Sequence, residues 1–168
     1  VDRVYDGTLL VDVNVPGGIS GTPRAGDLIA GDDVLLSLPA PGTAVGRMAD
    51  RHAGTDKPVL VDGLGLSGAD AGNYVIAAAS GVTVDITPLT ISAAYAGIDR
   101  VYDGSSNAPV AVTLAGVLAG DVLSGSASGL FTDGKNVGVA KPVAVSGGQL
   151  IGLDAGNYRL DNTSGSTT

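Results

Sequence analysis

Asp2-Arg3-Val4-Tyr5-Asp6-Gly7 recurs unchanged as Asp99-Arg100-Val101-Tyr102-Asp103-Gly104, at an offset of 97 residues. Outward from this hexapeptide, Lys57-Pro58-Val59 returns as Lys141-Pro142-Val143, and Asp70-Ala71-Gly72-Asn73-Tyr74 returns as Asp154-Ala155-Gly156-Asn157-Tyr158, both at an offset of 84. Three motifs repeated in the same order mean that one unit is written twice. The fall in offset from 97 to 84 places 13 additional residues in the first copy, between Gly7 and Lys57. Pro16–Gly26, rich in Gly and Pro, reads as loop and accounts for part of them. The expected modules are residues 1–88, with an insertion around 16–31, and residues 89–168. The first copy has no counterpart of Leu89–Ala96, and the second has none of Asp85-Ile86-Thr87-Pro88. The expectation is therefore that the first strand of module 1 and the last strand of module 2 are missing, and that further units lie on either side.

Within each copy, β-branched residues alternate with polar ones: Val11, Val13 and Val15; Val59 and Val61; Val82, Val84 and Ile86; Val110, Val112 and Leu114; Val143 and Val145. Period two marks half-buried strands. Turn dipeptides separate them, among them Asp6-Gly7, Asp62-Gly63, Asp103-Gly104, Asp133-Gly134 and Gly147-Gly148. Composition agrees. All 17 acidic residues are Asp, Gln149 is the single Gln, and Lys occurs three times, so the residues that usually coat wet helix faces are scarce. In their place stand 27 Gly and 21 Val. The expected fold is all-β, with two tandem antiparallel β-sandwich modules of Ig-like type set end to end and β-grasp-like modules as the alternative. Pro88 sits between a closing strand, Val82–Thr87, and an opening one, Leu89–Tyr95, and predicts a short, stiff joint.

Charge and cysteine usage exclude several classes. A net charge of −8 repels phosphate backbones, so nucleic acid is not an expected partner. No apolar run approaches the ~20 residues of a membrane-spanning helix, so no membrane insertion is expected. The absence of Cys excludes a disulfide framework, Cys-ligated zinc and thiol catalysis.

Tyr-Asp-Gly near the start of each copy, Lys-Pro-Val in the middle, Ala-Gly-Asn-Tyr near the end and the closing Ile86-Thr87-Pro88 resemble the YDG and MBG repeats of large bacterial surface proteins. The resemblance covers nearly the whole chain, twice. It implies an extracellular or cell-surface location, carriers similar to filamentous-haemagglutinin-type exoproteins and biofilm adhesins, and export by two-partner secretion. A cysteine-free chain suits passage through an outer-membrane pore. The implied role is a stalk or spacer whose partners are neighbouring modules of the same chain.

Candidate sites are few. Tyr5-Asp6-Gly7 and Tyr102-Asp103-Gly104 read as turns in which Gly supplies positive φ and the Tyr hydroxyl finds a backbone partner. Tyr74 and Tyr158 read as pins at the start of a strand, as in a tyrosine corner. Lys57-Pro58-Val59 and Lys141-Pro142-Val143 read as edge strands, because Pro cannot donate to a ladder and Lys discourages pairing. No cofactor is expected. If calcium binds, Asp32, Asp33, Asp70 and Asp154 are the candidate ligands, although no Asp-x-Asp-x-Asp-Gly loop occurs. A polysaccharide or host-surface ligand, as the alternative function, falls to the module-1 insertion with Arg24 and Asp27. No enzyme is expected: His52 is the single His, its counterpart in the second copy is Asn136, and no Gly-x-Ser-x-Gly elbow occurs. Asn162-Thr163-Ser164 matches a glycosylation acceptor by pattern alone.

Overall fold

The computed structural model describes residues 2–11, 28–37, 46–76 and 81–168. These residues are almost entirely strand and turn, with two short 3-10 turns and no α-helix. None of their helical segments is long and apolar enough to cross a membrane. The chain divides into two compact units; the second comprises Val4–Gly7 together with Thr87–Thr168, and the first takes the rest.

The strands of the first part of the chain are β1 (Arg3–Val4), β2 (Leu10–Val11), β3 (Leu35–Ser37), β4 (Gly46–Met48), β5 (Gly54–Val61), β6 (Gly65–Ser67) and β7 (Thr83–Thr87). A five-stranded sheet runs in the order β1-β7-β5-β4-β2, and β3 pairs with β6 in a separate ribbon. Alternation decides which side chains are covered. Val11, Met48, Val59, Val84 and Ile86 are buried while their strand neighbours are not, and each such side chain contributes about 1.5–3 kcal/mol. Val13 and Val15, expected to continue β2, lie outside the described residues.

Lys57-Pro58-Val59 lies in β5 and is an edge only in part: Lys57 and Pro58 pair with β7 alone, opposite Val84 and Thr83, whereas Val59 also faces Met48 of β4. A register shift between Gly54 and Lys57, with Asp56 at φ 50°, precedes the proline, which sits where β4 has no partner for it. The displaced Asp56 amide donates to the Asp85 carboxylate at 2.8 Å, so the bulge leaves that donor satisfied. In the second copy Lys141 and Pro142 precede the strand that Val143 opens, with Phe131 opposite Val143 on one side and Thr167 on the other. The two lysines are instead ion-paired, Lys57 with Asp50 and Lys141 with Asp133.

The second unit carries β8 (Leu89–Gly97), β9 (Asn107–Ala108), β10 (Val110–Ala115), β11 (Ser124–Phe131), β12 (Val143–Ile151), β13 (Tyr158–Leu160) and β14 (Gly165–Thr167). One residue, Pro88, separates β7 from β8. The strands form a three-stranded sheet, β10-β8-β13, and a four-stranded sheet, β14-β12-β11-β9. Both sheets feed one core: Ala108, Val143 and Val145 from the larger sheet, with Tyr95 and Val110 from the smaller packed against them. The pairing is not wholly antiparallel. β13 runs parallel to β8, with Tyr158 opposite Leu89, because the chain crosses from the larger sheet to the smaller through the 3-10 turn Ala155–Asn157. Asn162 extends this seam. Its side-chain amide donates to the Ala93 carbonyl at 2.7 Å and accepts the Ala93 amide at 2.9 Å, the work of a strand residue. The glycosylation pattern at Asn162 is thus occupied by a structural amide.

Candidate functional site

A polar corner occurs once in each unit. It begins with a tight turn, Ile29-Ala30-Gly31-Asp32 in the first unit and Leu118-Ala119-Gly120-Asp121 in the second. The Asp amide donates back to the Ile29 or Leu118 carbonyl at 3.2 Å in both. Gly31 and Gly120 stand at φ 103° and 94°, the left-handed third position that such a turn reserves for glycine. Facing this turn is Asp-Ala-Gly-Asn-Tyr, wound into the 3-10 turns Ala71–Asn73 and Ala155–Asn157.

Two sets of bonds join the halves. Asp70 donates its amide to the Asp33 carbonyl at 3.1 Å and accepts the Asp33 amide on Oδ2 at 2.9 Å. Asp154 does the same with Val122, at 3.2 and 2.8 Å. The tyrosine that follows each 3-10 turn closes the corner. Tyr74 accepts the Ile29 amide at 2.9 Å and donates to Asp32 Oδ2 at 2.6 Å; Tyr158 accepts the Leu118 amide at 3.1 Å and donates to Asp121 Oδ2 at 2.6 Å. A phenol held against a carboxylate resists ionisation. The Asp32 carboxylate raises Tyr74 above its ordinary value, whereas burial is the first cause of the upward shift at Tyr158 and Asp121 the second.

A family model described as the YDG domain matches residues 1–81 and again residues 85–166. The chain belongs to the YDG domain family, in two tandem copies. No curated protein and no solved structure matches it.

The tripeptide that gives YDG domains their name has two environments here. Its backbone is the same in both copies: Gly7 and Gly104 lie at φ 77° and 80°, and the preceding arginine ties the turn, with Arg3 donating to the Thr8 carbonyl at 2.8 Å and Arg100 to that of Ser105 at 2.7 Å. Asp103 accepts the Ser105 amide and pairs with Arg100, which together hold its carboxyl down at about 2. The tyrosines differ. Tyr5, within the second unit, is 2% exposed, whereas Tyr102 is 54% exposed. Tyr5 sets its ring edge-on to Tyr158, with centroids 5.5 Å apart, and donates its hydroxyl to Asp121 Oδ2 at 2.8 Å. Two phenols therefore share one carboxylate oxygen, and the acceptor of Tyr5 is a side chain rather than the backbone expected for it.

The aspartates singled out as calcium candidates are members of these corners. Asp32 accepts a phenol, Asp70 and Asp154 accept backbone amides, and Asp33 accepts the Ala69 amide at 3.2 Å. Among the described residues, no group of three or more His, Asp, Glu or Cys is arranged to hold a metal. Arg24 and Asp27 lie outside the described residues. His52 sits in the loop before β5, its amide donating to Asp50.

Asp121, the hub of the second corner, escaped the sequence reading. The signal was present: Ala30-Gly31-Asp32 recurs as Ala119-Gly120-Asp121, at an offset of 89. This third offset lies between the other two, so eight of the extra residues fall before Ala30 and five after Asp32.

Proposed function

We propose that this pair of YDG domains is a structural stalk segment of a secreted or surface-anchored bacterial adhesin, supporting adhesion or biofilm formation by holding a binding tip away from the cell. The observation that carries the reading is the duplication of a complete fastening device, turn, 3-10 turn, tyrosine and aspartate, once in each unit. A device whose turn, amide and tyrosine bonds recur in both units serves their integrity. Each unit is a small sandwich of Ig-like type, a reading supported by the two sheets of the second unit that feed one core. The acidic surface, with a net charge of −8, keeps parallel stalks from sticking. The residues of the corners are spent on one another rather than aimed at a substrate, which favours a mechanical role over a catalytic one.

Single-molecule pulling on the two-domain chain tests this. A stalk gives two separate unfolding events, each releasing about 25 nm of chain for ~80 residues at up to ~3.6 Å per residue. Extension without resolved force peaks contradicts a load-bearing role.

A further inference from the structure

Within the second unit, the YDG segment Val4–Gly7 is seated on the Asp121–Tyr158 corner. That seat covers the corner: Tyr158 is 5% exposed, Asp154 7% and Asn157 2%. The same corner in the first unit has no such cover among the described residues. Tyr74 and Asp70 are only half-buried there, Asn73 is exposed, and Ile29, which stands where Leu118 is half-buried, is 68% exposed. Conversely, the second YDG segment has no such seat among the described residues, with Val101 at 88% and Tyr102 at 54% exposure. Among the described residues there are thus one occupied socket, one open socket and one free plug, and the plug and socket that stand open are sequence copies of the pair that is joined.

We infer that the Tyr102 segment of one copy of this chain docks on the Asp32–Tyr74 corner of a second copy. Tyr102 sets its ring against Tyr74 and donates its hydroxyl to the Asp32 carboxylate, as Tyr5 does with Tyr158 and Asp121. The plug is already folded. Arg100 holds the Ser105 carbonyl and Asp103 the Ser105 amide, so little chain entropy is lost on docking. The socket is preformed in the same sense, because Asp32 already accepts Tyr74. The contact joins two different surfaces, so it is heterologous and grows open head-to-tail chains rather than closed dimers. A single tyrosine and its flanks form a small interface, which places the affinity in the weak range, near ~1 mM for about 4 kcal/mol.

Sedimentation velocity over rising concentration, up to ~1 mM, tests the inference on the intact chain. The unmodified chain is expected to pass beyond dimer without a plateau. Tyr102→Ala, at an exposed position that leaves the fold intact, and Asp32→Asn, which keeps an acceptor for Tyr74, are each expected to weaken association about tenfold or more. An equimolar mixture of the two variants retains one intact socket and one intact plug, so it is expected to stop at the heterodimer. A chain that stays monomeric throughout overturns the inference. So do variants that associate as the unmodified chain does, and a variant mixture that grows past dimer.

Discussion

Replacing Asp121 with alanine is the perturbation that reaches furthest into the second unit. One carboxylate oxygen accepts the Tyr5 hydroxyl at 2.8 Å and the Tyr158 hydroxyl at 2.6 Å. Hydrogen bonds to a charged acceptor contribute about 1.5–3 kcal/mol each. Asp121 is itself half-exposed, so the lower end applies, and two bonds give about 3 kcal/mol. In a unit of this size, 1 kcal/mol moves the midpoint by roughly 4–8 °C, so Tm should fall by roughly 12–24 °C. The first unit provides the internal reference, because Asp32 accepts a single phenol in a wetter corner; Asp32→Ala should cost its own unit distinctly less. Native-state hydrogen exchange reads both corners at once, through the Leu118 and Ile29 amides that donate to the two tyrosines. A Tyr5→Phe and Asp121→Asn double-mutant cycle should give a coupling of about 1 kcal/mol. If Asp121→Ala costs no more than Asp32→Ala, or less than about 0.5 kcal/mol, the shared carboxylate is not what fastens Tyr5 and Tyr158.

Gly152, at φ 131°, stands where a Cβ would meet the Val122 carbonyl oxygen at 2.5 Å, and Gly68, at φ 110°, where one would meet that of Asp33 at 2.2 Å; alanine at either should destabilise its own unit by more than about 2 kcal/mol, measured by urea denaturation. Tyr158 holds its proton more tightly folded than unfolded, so its contribution is complete below pH ~10 and is lost as pH rises through the folded value; with ring-labelled tyrosine, its phenolate signal should emerge later than that of a model peptide, and Asp121→Asn should bring it back towards the ordinary range. Asp103 should titrate at about 2 in a carboxyl NMR titration, because Arg100 and the Ser105 amide hold its charged form, and Arg100→Gln should raise it towards 3.8.

Much of this architecture was legible in the residues, and the parts that were not have physical causes. The Val/polar alternation of Val110–Leu114 and Val143–Val145 gives β10 and β12, and Pro88 marks the break between β7 and β8. Asn-Tyr after Ala-Gly signals the tyrosine that closes each corner. Lys57-Pro58-Val59 reads as an edge and is one at Lys57 and Pro58, which have β7 on one side only; β4 reaches as far as Val59, a limit that the tripeptide does not encode. The parallel β8–β13 pair is hidden because period two carries no strand direction. Tyr5 and Tyr102 occupy identical hexapeptides and differ from 2% to 54% in exposure; local sequence cannot encode that difference, since it depends on what lies opposite. Asp121 is invisible to a single-offset comparison because insertions on both sides of its first copy give it an offset of its own.

The proposal that this tandem of YDG domains acts as a spacer is tested most directly by small-angle scattering of this chain. Two modules in line should give a radius of gyration of about 22 Å or more, unchanged by calcium or chelator, measured dilute enough to avoid association. A value near the ~15 Å of a single compact body of this length, or one that lengthens only with calcium, contradicts it.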